Sequence, residues 1–406
     1  MAQSMLPKYF SDTEMRSLQT GYSNGDVVSA MLRIKRVVDS GNVPINIAVL
    51  GDGGAGKSTF INTMRGVRSG DQGAAPVGGY EASVNPVGYP YPSLPNVQLW
   101  DLPGSNSLGF EMSRYLKQVQ FESYDFYIIV SQSRFRESDG ELSKKIQQQG
   151  KGFYYIRSKI DNDAYSMQMQ GTDFGEGQRQ IRQDCLNNFH RVSVDPPAIF
   201  LISGLEVTGY DFPKLQSALA SDLPKIKSTA FRLAIPRMMQ EIQRPRRQIL
   251  MWCIILWAFL SGALGVLRLL TLPLLTATLC TVSGWIYLRR QLGVSERELG
   301  ILSGAVAKPV SLLKADMDRP SPHKLQLLVA KALLLVVIVA FTVVGFTGTF
   351  PPVLLIVCGS VSSLAFTLLV LMCSLDERLR SVQNLAVALF DETGVTVYRS
   401  VAVSTA

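Results

Sequence analysis

Histidine is nearly missing from this chain: there are two, His190 and His323, in 406 residues, far apart in sequence. No zinc-site pattern can be built from them. The five cysteines, Cys185, Cys253, Cys280, Cys358 and Cys373, show no paired spacing. Four of them lie in apolar runs, where a free thiol behaves as a small hydrophobe. That excludes a disulfide framework and suits a reducing compartment. Charge is also scarce. Asp, Glu, Lys and Arg make up 18% of the chain against 47% hydrophobic residues, which is apolar for a soluble protein. The opening Met1-Ala2-Gln3-Ser4-Met5 lacks the apolar core of a signal peptide, and Ala2 stands where N-myristoylation requires glycine. No short internal repeat is evident. The net charge of +8 suits an anionic partner: nucleotide, nucleic acid or an acidic membrane face. The basic residues are dispersed or flank apolar runs, without interleaved aromatics, so nucleic acid is not expected as a partner.

What is present is organised around Gly51-Asp52-Gly53-Gly54-Ala55-Gly56-Lys57-Ser58. An apolar run, residues 45–50, precedes it and reads as a buried strand. Thr59 and the residues to Met64 read as the start of a helix. A G-x-x-x-x-G-K-S pattern between strand and helix is a phosphate-binding loop. Its glycines let successive N–H groups curl around a phosphate, and the helix start adds partial positive charge. In this reading Gly51, Gly53, Gly54, Ala55, Gly56, Lys57, Ser58 and Thr59 bind nucleotide. Lys57 reaches the β- and γ-phosphates, and the Ser58 hydroxyl is a ligand for Mg²⁺.

Residues 45 to about 223 alternate strand-like and helix-like stretches, which predicts an α/β domain with a mostly parallel sheet and helices on both faces. Residues 96–100 form a strand ending in Asp101-Leu102-Pro103-Gly104. Asp-x-x-Gly downstream of a phosphate loop is the second phosphate motif of GTPases: Asp101 holds the metal through water and the Gly104 amide senses the γ-phosphate. After a strand at 153–157 comes Ser158-Lys159-Ile160-Asp161, against the guanine motif Asn/Thr-Lys-x-Asp. The aspartate takes two hydrogen bonds from guanine N1 and the exocyclic amine, a pair adenine cannot supply, and the lysine stem covers the ring. Ser158 departs from the pattern but can make the loop-tying bond of threonine. Ser203-Gly204, after a strand at 199–202, stands where GTPases place a small residue facing guanine O6. Residues 73–83 are the expected first switch. Ser83 offers its only aliphatic hydroxyl for a metal, and Ser105 replaces the glutamine that orients water in small GTPases. Hydrolysis is therefore expected to be slow, helped in trans, or lost.

Residues 51–66, residues 95–104 with their Trp-Asp-Leu-Pro-Gly, Tyr124-Asp125-Phe126 and Tyr210-Asp211-Phe212-Pro213 together resemble the immunity-related GTPases, interferon-inducible dynamin-like proteins. The likeness covers roughly residues 30–230 and continues less surely through residues 287–294. It implies a G domain plus a helical domain, with GTP or GDP and Mg²⁺ as cofactors. It also implies GTP-dependent self-association on intracellular membranes (endoplasmic reticulum, Golgi or vacuole) and cell-autonomous defence. Family members carry a threonine in the first switch with a glutamate four positions on, implicated in hydrolysis within a dimer. Val77 stands at that threonine and Glu81 at the glutamate. By resemblance alone, Glu81 joins Lys57 as a catalytic candidate, and Ser83 joins Ser58 and Asp101 as a metal candidate.

The expected organisation is an N-terminal helical segment at 1–43, broken by Gly21 and Asn24-Gly25 and packing with the helical domain; a G domain at 44–224; and an apolar C-terminal helical domain at 225–406. The last holds two apolar hairpins, about 249–287 and 332–373, each arm roughly 17–21 residues and apolar all round. Arg246, Arg247, Arg289 and Arg290 flank the first, and Lys324 with Lys331 precede the second. Two arrangements remain open: hairpins that enter and leave a membrane from the cytosolic side, with Arg268 at a tip, or a buried helical core. The tail from Leu375 reads as a short amphipathic helix and a loose end. The function read from this is a GTP-hydrolysing, membrane-associated protein; the alternative is a GTP-binding membrane scaffold that hydrolyses little.

Overall fold

The computed structural model describes residues 10–39, 44–78, 85–94, 96–105, 112–132, 134–267, 273–306, 308–318, 336 and 352–390. Glu81, Ser83, Arg268, Lys324, Lys331, most of the 332–350 arm and the end of the tail lie outside the described residues. The chain divides into two compact units, one centred on residues 40–233 and one made of residues 10–39 and 234–392.

The first unit is built on a six-stranded sheet. Its strands are β1 (Ile45–Leu50), β2 (Val87–Pro90), β3 (Val97–Asp101), β4 (Phe126–Ser131), β5 (Gly152–Arg157) and β6 (Ala198–Leu201), in the order β2-β3-β1-β4-β5-β6. All pairs are parallel except β2 with β3. β4 and β5 are buried at every residue, as expected of strands covered on both faces. Ala48, Leu50, Tyr127, Ile129 and Tyr155 pack with Tyr115, Leu142, Ile146 and Phe189. These last belong to α4 (Met112–Gln118), α5 (Glu137–Gln148) and α7 (Phe174–Arg191). On the other face, Tyr154 donates to Asp222 Oδ2 at 2.6 Å, from a helix that follows β6. β1 sits centrally, between β3 and β4, so the loop after it opens at the carboxyl end of the sheet, where doubly wound folds place their ligands.

Several residues that carry the family likeness act as clamps on this sheet. Asn46 and Asp125 lock β1 to the start of β4: the Asn46 amide donates to Asp125 Oδ2 at 2.7 Å, and the Asp125 amide to the Asn46 carbonyl at 2.8 Å. Trp100 Nε1 donates to Asn46 Oδ1 at 3.1 Å, which adds β3. Asp211, buried, accepts the Leu201 amide at 2.9 Å and an Arg182 guanidinium bond, and lies 3.3 Å from Lys214. It fixes the end of β6, beside the expected guanine loop.

The second unit is helical. α1 (Asp12–Ser23) and α2 (Val27–Asp39) are followed, after the first unit, by α8 (Phe212–Leu267), which begins in the first unit and runs into the second. Next come α9 (Pro273–Leu292), α10 (Glu296–Val306), α11 (Val310–Met317) and α12 (Pro352–Phe390). Arg246 of α8 donates to the Tyr22 and Gln291 carbonyls, joining α1, α8 and α9. Gln243 Nε2 donates to the Leu379 carbonyl at 3.2 Å, which adds α12. Two expectations change, and one strand had not been foreseen. Gly21 lies inside α1, and the break comes at Asn24-Gly25. The tail is no separate short helix, because Leu375 to Leu389 continues α12 from the apolar run before it. The edge strand β2 had no sequence signal, being four residues that include Gly88 and Pro90.

Asp211→Ala should lower the stability of the sheet unit by about 3 kcal/mol, because it strands the buried Leu201 amide and removes the partner of Arg182. A shift of the urea midpoint followed through Trp100 fluorescence would read this; an unchanged midpoint would show that the clamp is dispensable.

Candidate nucleotide-binding site

Gly51 follows β1 with φ 137°, and a Cβ there would lie 2.1 Å from the Val130 carbonyl oxygen of β4. No side chain fits. Gly54 and Gly56 are also left-handed, at φ 78° and 97°, conformations that glycine adopts without steric cost. α3 (Lys57–Arg65) follows with no side-chain cap, the kind of helix start that favours an anion.

Lys57 is buried, and its ammonium donates to the carbonyls of Gly51 at 3.1 Å and Asp52 at 2.9 Å. Burial draws its pKa down, while the negative charges of Asp101 and Asp52 work against that shift. Ser58 Oγ donates to Asp101 Oδ2 at 2.6 Å. Burial pushes the Asp101 carboxyl up, and the Ser58 hydroxyl and Lys57 hold it back. Its Oδ1 is buried and has no hydrogen-bond partner among the described residues. A hydroxyl beside a buried carboxylate with an unsatisfied oxygen fits a hard divalent cation such as Mg²⁺, which takes one or two protein oxygens and completes its shell with phosphate and water.

The Asp-x-x-Gly loop is held against the phosphate loop. The Ser105 amide donates to the Gly51 carbonyl at 3.3 Å, and Ser105 Oγ donates to Asp52 Oδ1. Arg136, at the start of α5, pairs with the other Asp52 oxygen. Asp139 stands behind this pair, accepting the Arg136 amide at 3.1 Å and the Tyr155 hydroxyl at 3.2 Å. Burial, with Asp52 adding to it, pushes Asp139 up to about 6. Asp52, Arg136 and Asp139 escaped the motif reading. Asp52 occupies an unspecified position of the loop pattern, and the other two lie 84 and more residues away in a stretch with no motif.

The other end of the site is tied to the same loop. Ser158 is buried; its Oγ donates to the Ala55 carbonyl at 2.7 Å, and its amide to Ser131 at 2.8 Å. Lys159 has a left-handed backbone, φ 58°, unusual for a residue with a side chain. Its ammonium donates to the Gly54 carbonyl at 3.0 Å and to Gln132 Oε1 at 2.6 Å. Asp161 stands in the first turn of α6 (Ile160–Met169), and the Ile160 amide donates to Ile202 at 3.2 Å. Ser203, fully buried, accepts the Leu205 amide at 3.2 Å, and the Gly204 carbonyl accepts from Thr63 at 3.2 Å. A Cβ on Gly204 would come 2.8 Å from Thr59 Cγ2. The structure thus gathers Gly51 to Thr59, Asp101, Gly104, Ser158, Lys159, Asp161, Ser203 and Gly204 at one end of the sheet. Val77 is 48% exposed and brings no oxygen.

Ser158→Ala should weaken guanine nucleotide binding about tenfold, the worth of one buried hydrogen bond, whereas Ser158→Thr should stay close to wild type. Fluorescent-nucleotide titration separates the two. Equal losses in both variants would mean that the hydroxyl does not hold the loop.

Residues 11–344 match the model of the family described as Interferon-inducible GTPase (IIGP). T-cell-specific guanine nucleotide triphosphate-binding protein 2 of Mus musculus is 37% identical over 266 residues, 64% of this chain and 64% of that protein. Interferon-inducible GTPase 5 of Bos taurus is 33% identical over 317 residues, covering 76% and 67%. Interferon-inducible GTPase 1 of Mus musculus is 35% identical over 284 residues, covering 69% and 68%. The first of these relatives is therefore matched over less than two thirds of its length. With a family match over most of its length and its glycine loop, Asp-x-x-Gly turn and Ser-Lys-x-Asp loop joined at one sheet end, this chain belongs to the interferon-inducible GTPase family.

Proposed function

We propose that the chain binds GTP and GDP in the 44–224 region as a G domain and hydrolyses GTP, with low turnover unless two copies meet. The observation that carries this reading is the junction of the two halves of the site. Ser158 and Lys159 bond to the carbonyls of Ala55 and Gly54, so a base seated at Asp161 leads directly into the glycine loop. In the bound state the Lys57 ammonium exchanges its carbonyl partners for β/γ oxygens, and the loop amides and the α3 start face the phosphates. Ser58 and Asp101 would hold Mg²⁺, which supplies charge neutralisation to the phosphates when bound. Asp161 accepts the two guanine N–H groups, and Ser203-Gly204 faces O6.

In this proposal self-association through the nucleotide face completes the catalytic site with Glu81, on intracellular membranes and in cell-autonomous defence. Val77 and Ser105 favour a second reading, a nucleotide-switched scaffold with little hydrolysis: Val77 lacks the metal-binding hydroxyl of a switch threonine, and Ser105 lacks the water-orienting amide of glutamine.

GTP hydrolysis by the purified full chain in detergent should rise in specific activity with protein concentration and fall to background in Lys57→Ala. Glu81→Ala should bind GTP normally and lose about tenfold or more in turnover, as expected for loss of one transition-state contact. Tight binding with flat, negligible turnover would replace the enzyme by the scaffold.

A further inference from the structure

Around one cluster of hydroxyls, the packing of α8, α9 and α12 has its polarity inverted. Ser261 of α8 and Ser363 of α12 share a buried hydrogen bond at 2.7 Å, Thr367 donates to Ser261 at 3.0 Å, and Thr281 of α9 lies 3.4 Å from Thr367. The hydroxyls are inside. The outside is apolar: Trp252, Leu256 and Phe259 of α8 are 69%, 67% and 62% exposed, and Leu279 and Val282 of α9 and Val361 of α12 are exposed as well. Of the most apolar 18-residue stretches of α8 and α12, only 28% is buried. A water-soluble bundle shows the reverse arrangement, with apolar residues buried and polar ones outside. The helices also meet through small residues, as helices in lipid do. A Cβ on Gly262 would lie 3.3 Å from Leu364, and one on Gly284 would lie 2.7 Å from Leu371.

A second observation fixes where the inversion begins. Residues 248–267, 273–288 and 352–375 contain no Asp, Glu, Lys or Arg. At 1.5 Å per residue these stretches are about 30, 24 and 36 Å long, against about 30 Å of bilayer hydrocarbon. The first charge at the end of each stretch is Arg247, Arg289 and Asp376, and the structure brings all three to one level. Arg247 pairs with Asp376 at 3.1 Å. Arg289 and Arg378 both lie over the Trp285 ring, at 5.4 and 5.9 Å from its centre. Leu250, Leu288 and Leu375 pack together just inside that level, whereas Ser261, Thr281 and Ser363 meet further along. α8 and α9 are therefore antiparallel, with their charged ends side by side. Those ends carry Arg246, Arg247, Arg289, Arg290, Arg378 and Arg380 against Asp376 and Glu377, a positive excess that suits the anionic cytosolic face of a membrane.

We propose that residues 248–267, 273–288 and 352–375 are embedded in a lipid bilayer, with the Arg247–Asp376 pair and Trp285 at the headgroup level. The hydroxyl cluster holds the three helices together within the hydrocarbon. This deepens the membrane-bound reading above and is independent of nucleotide chemistry. One face of a second copy would cover one side of the unit, whereas exposed apolar residues occur on all three helices.

The test is alkaline carbonate extraction of the full chain made in the presence of endoplasmic-reticulum microsomes, followed by flotation of the pellet. Wild type and Lys57→Ala should both resist extraction and float, because insertion does not depend on nucleotide. Leu256→Arg/Phe259→Arg alters only outward side chains. It should bind guanine nucleotide as wild type does and show about a tenfold smaller floating fraction, since arginine at mid-bilayer opposes insertion. Release of wild type by carbonate, or a pellet that fails to float, would overturn the proposal, as would full retention of the double-arginine variant. Loss of GTP binding in wild type with flotation intact would refute the nucleotide reading and leave this one standing.

Discussion

Everything at the nucleotide end depends on how closely the chain after β1 passes the carbonyl of Val130. With 2.1 Å between that oxygen and a Cβ on Gly51, only a bare backbone can leave β1 there. The turn that follows aims the carbonyls of Gly51 and Asp52 at the Lys57 ammonium. A buried cation needs such partners, because taking it out of water unpaired would cost far more than the fold can supply. Lys57 is thus held beside the uncapped start of α3, with Asp101 and Ser58 next to it. The same loop then receives Ser158 and Lys159 from the far side. One close approach between neighbouring parallel strands therefore places the glycine loop, Lys57, the Ser58–Asp101 pair and the Ser158-Lys159 segment together.

Much of this was legible in the sequence, because its chemistry is local. The eight residues from Gly51 to Ser58 need only a strand before and a helix after, and the alternation of apolar runs gives both. What could not be read is what depends on distant partners. The bridge from Ser105 through Asp52 to Arg136 joins three segments that share no pattern. β2 has no pattern of its own and exists by pairing with β3. Tyr124-Asp125-Phe126 and Tyr210-Asp211-Phe212-Pro213 carry the family likeness, yet Asp125 and Asp211 prove to be sheet clamps. α8 runs from Phe212 to Leu267 through Pro224, Pro236 and Pro245. Each proline costs a helix about 3 kcal/mol, so propensity alone would end it. Burial of Leu219, Leu223, Ile226, Phe231, Ile235, Met238, Met239 and Ile242, at roughly 1.5–3 kcal/mol each, outweighs that cost.

The two units solve opposite solvation problems with the same residue types. In the sheet unit, hydroxyls and carboxylates converge on a cleft where phosphate and cation charge would satisfy them, and Asp101 Oδ1 lacks a protein partner among the described residues. Where α8, α9 and α12 meet, the hydroxyls of Ser261, Thr281, Ser363 and Thr367 satisfy one another, and large apolar side chains such as Trp252, Leu256 and Phe259 face outward. The first arrangement suits an anion and a divalent cation. The second, in the proposal above, suits an apolar solvent.

Guanine recognition by Ser158-Lys159-Ile160-Asp161 above the phosphate loop, as proposed, is tested most directly by Asp161→Asn. A carboxylate accepts from both N1–H and the exocyclic amine of guanine, whereas an amide can instead donate to the carbonyl that xanthine carries in place of that amine. Titration of the full chain with GTP and XTP should show the variant losing GTP and gaining XTP, with wild type binding GTP alone. An Asp161→Asn protein whose preference between the two bases matches wild type would contradict the assignment of this loop.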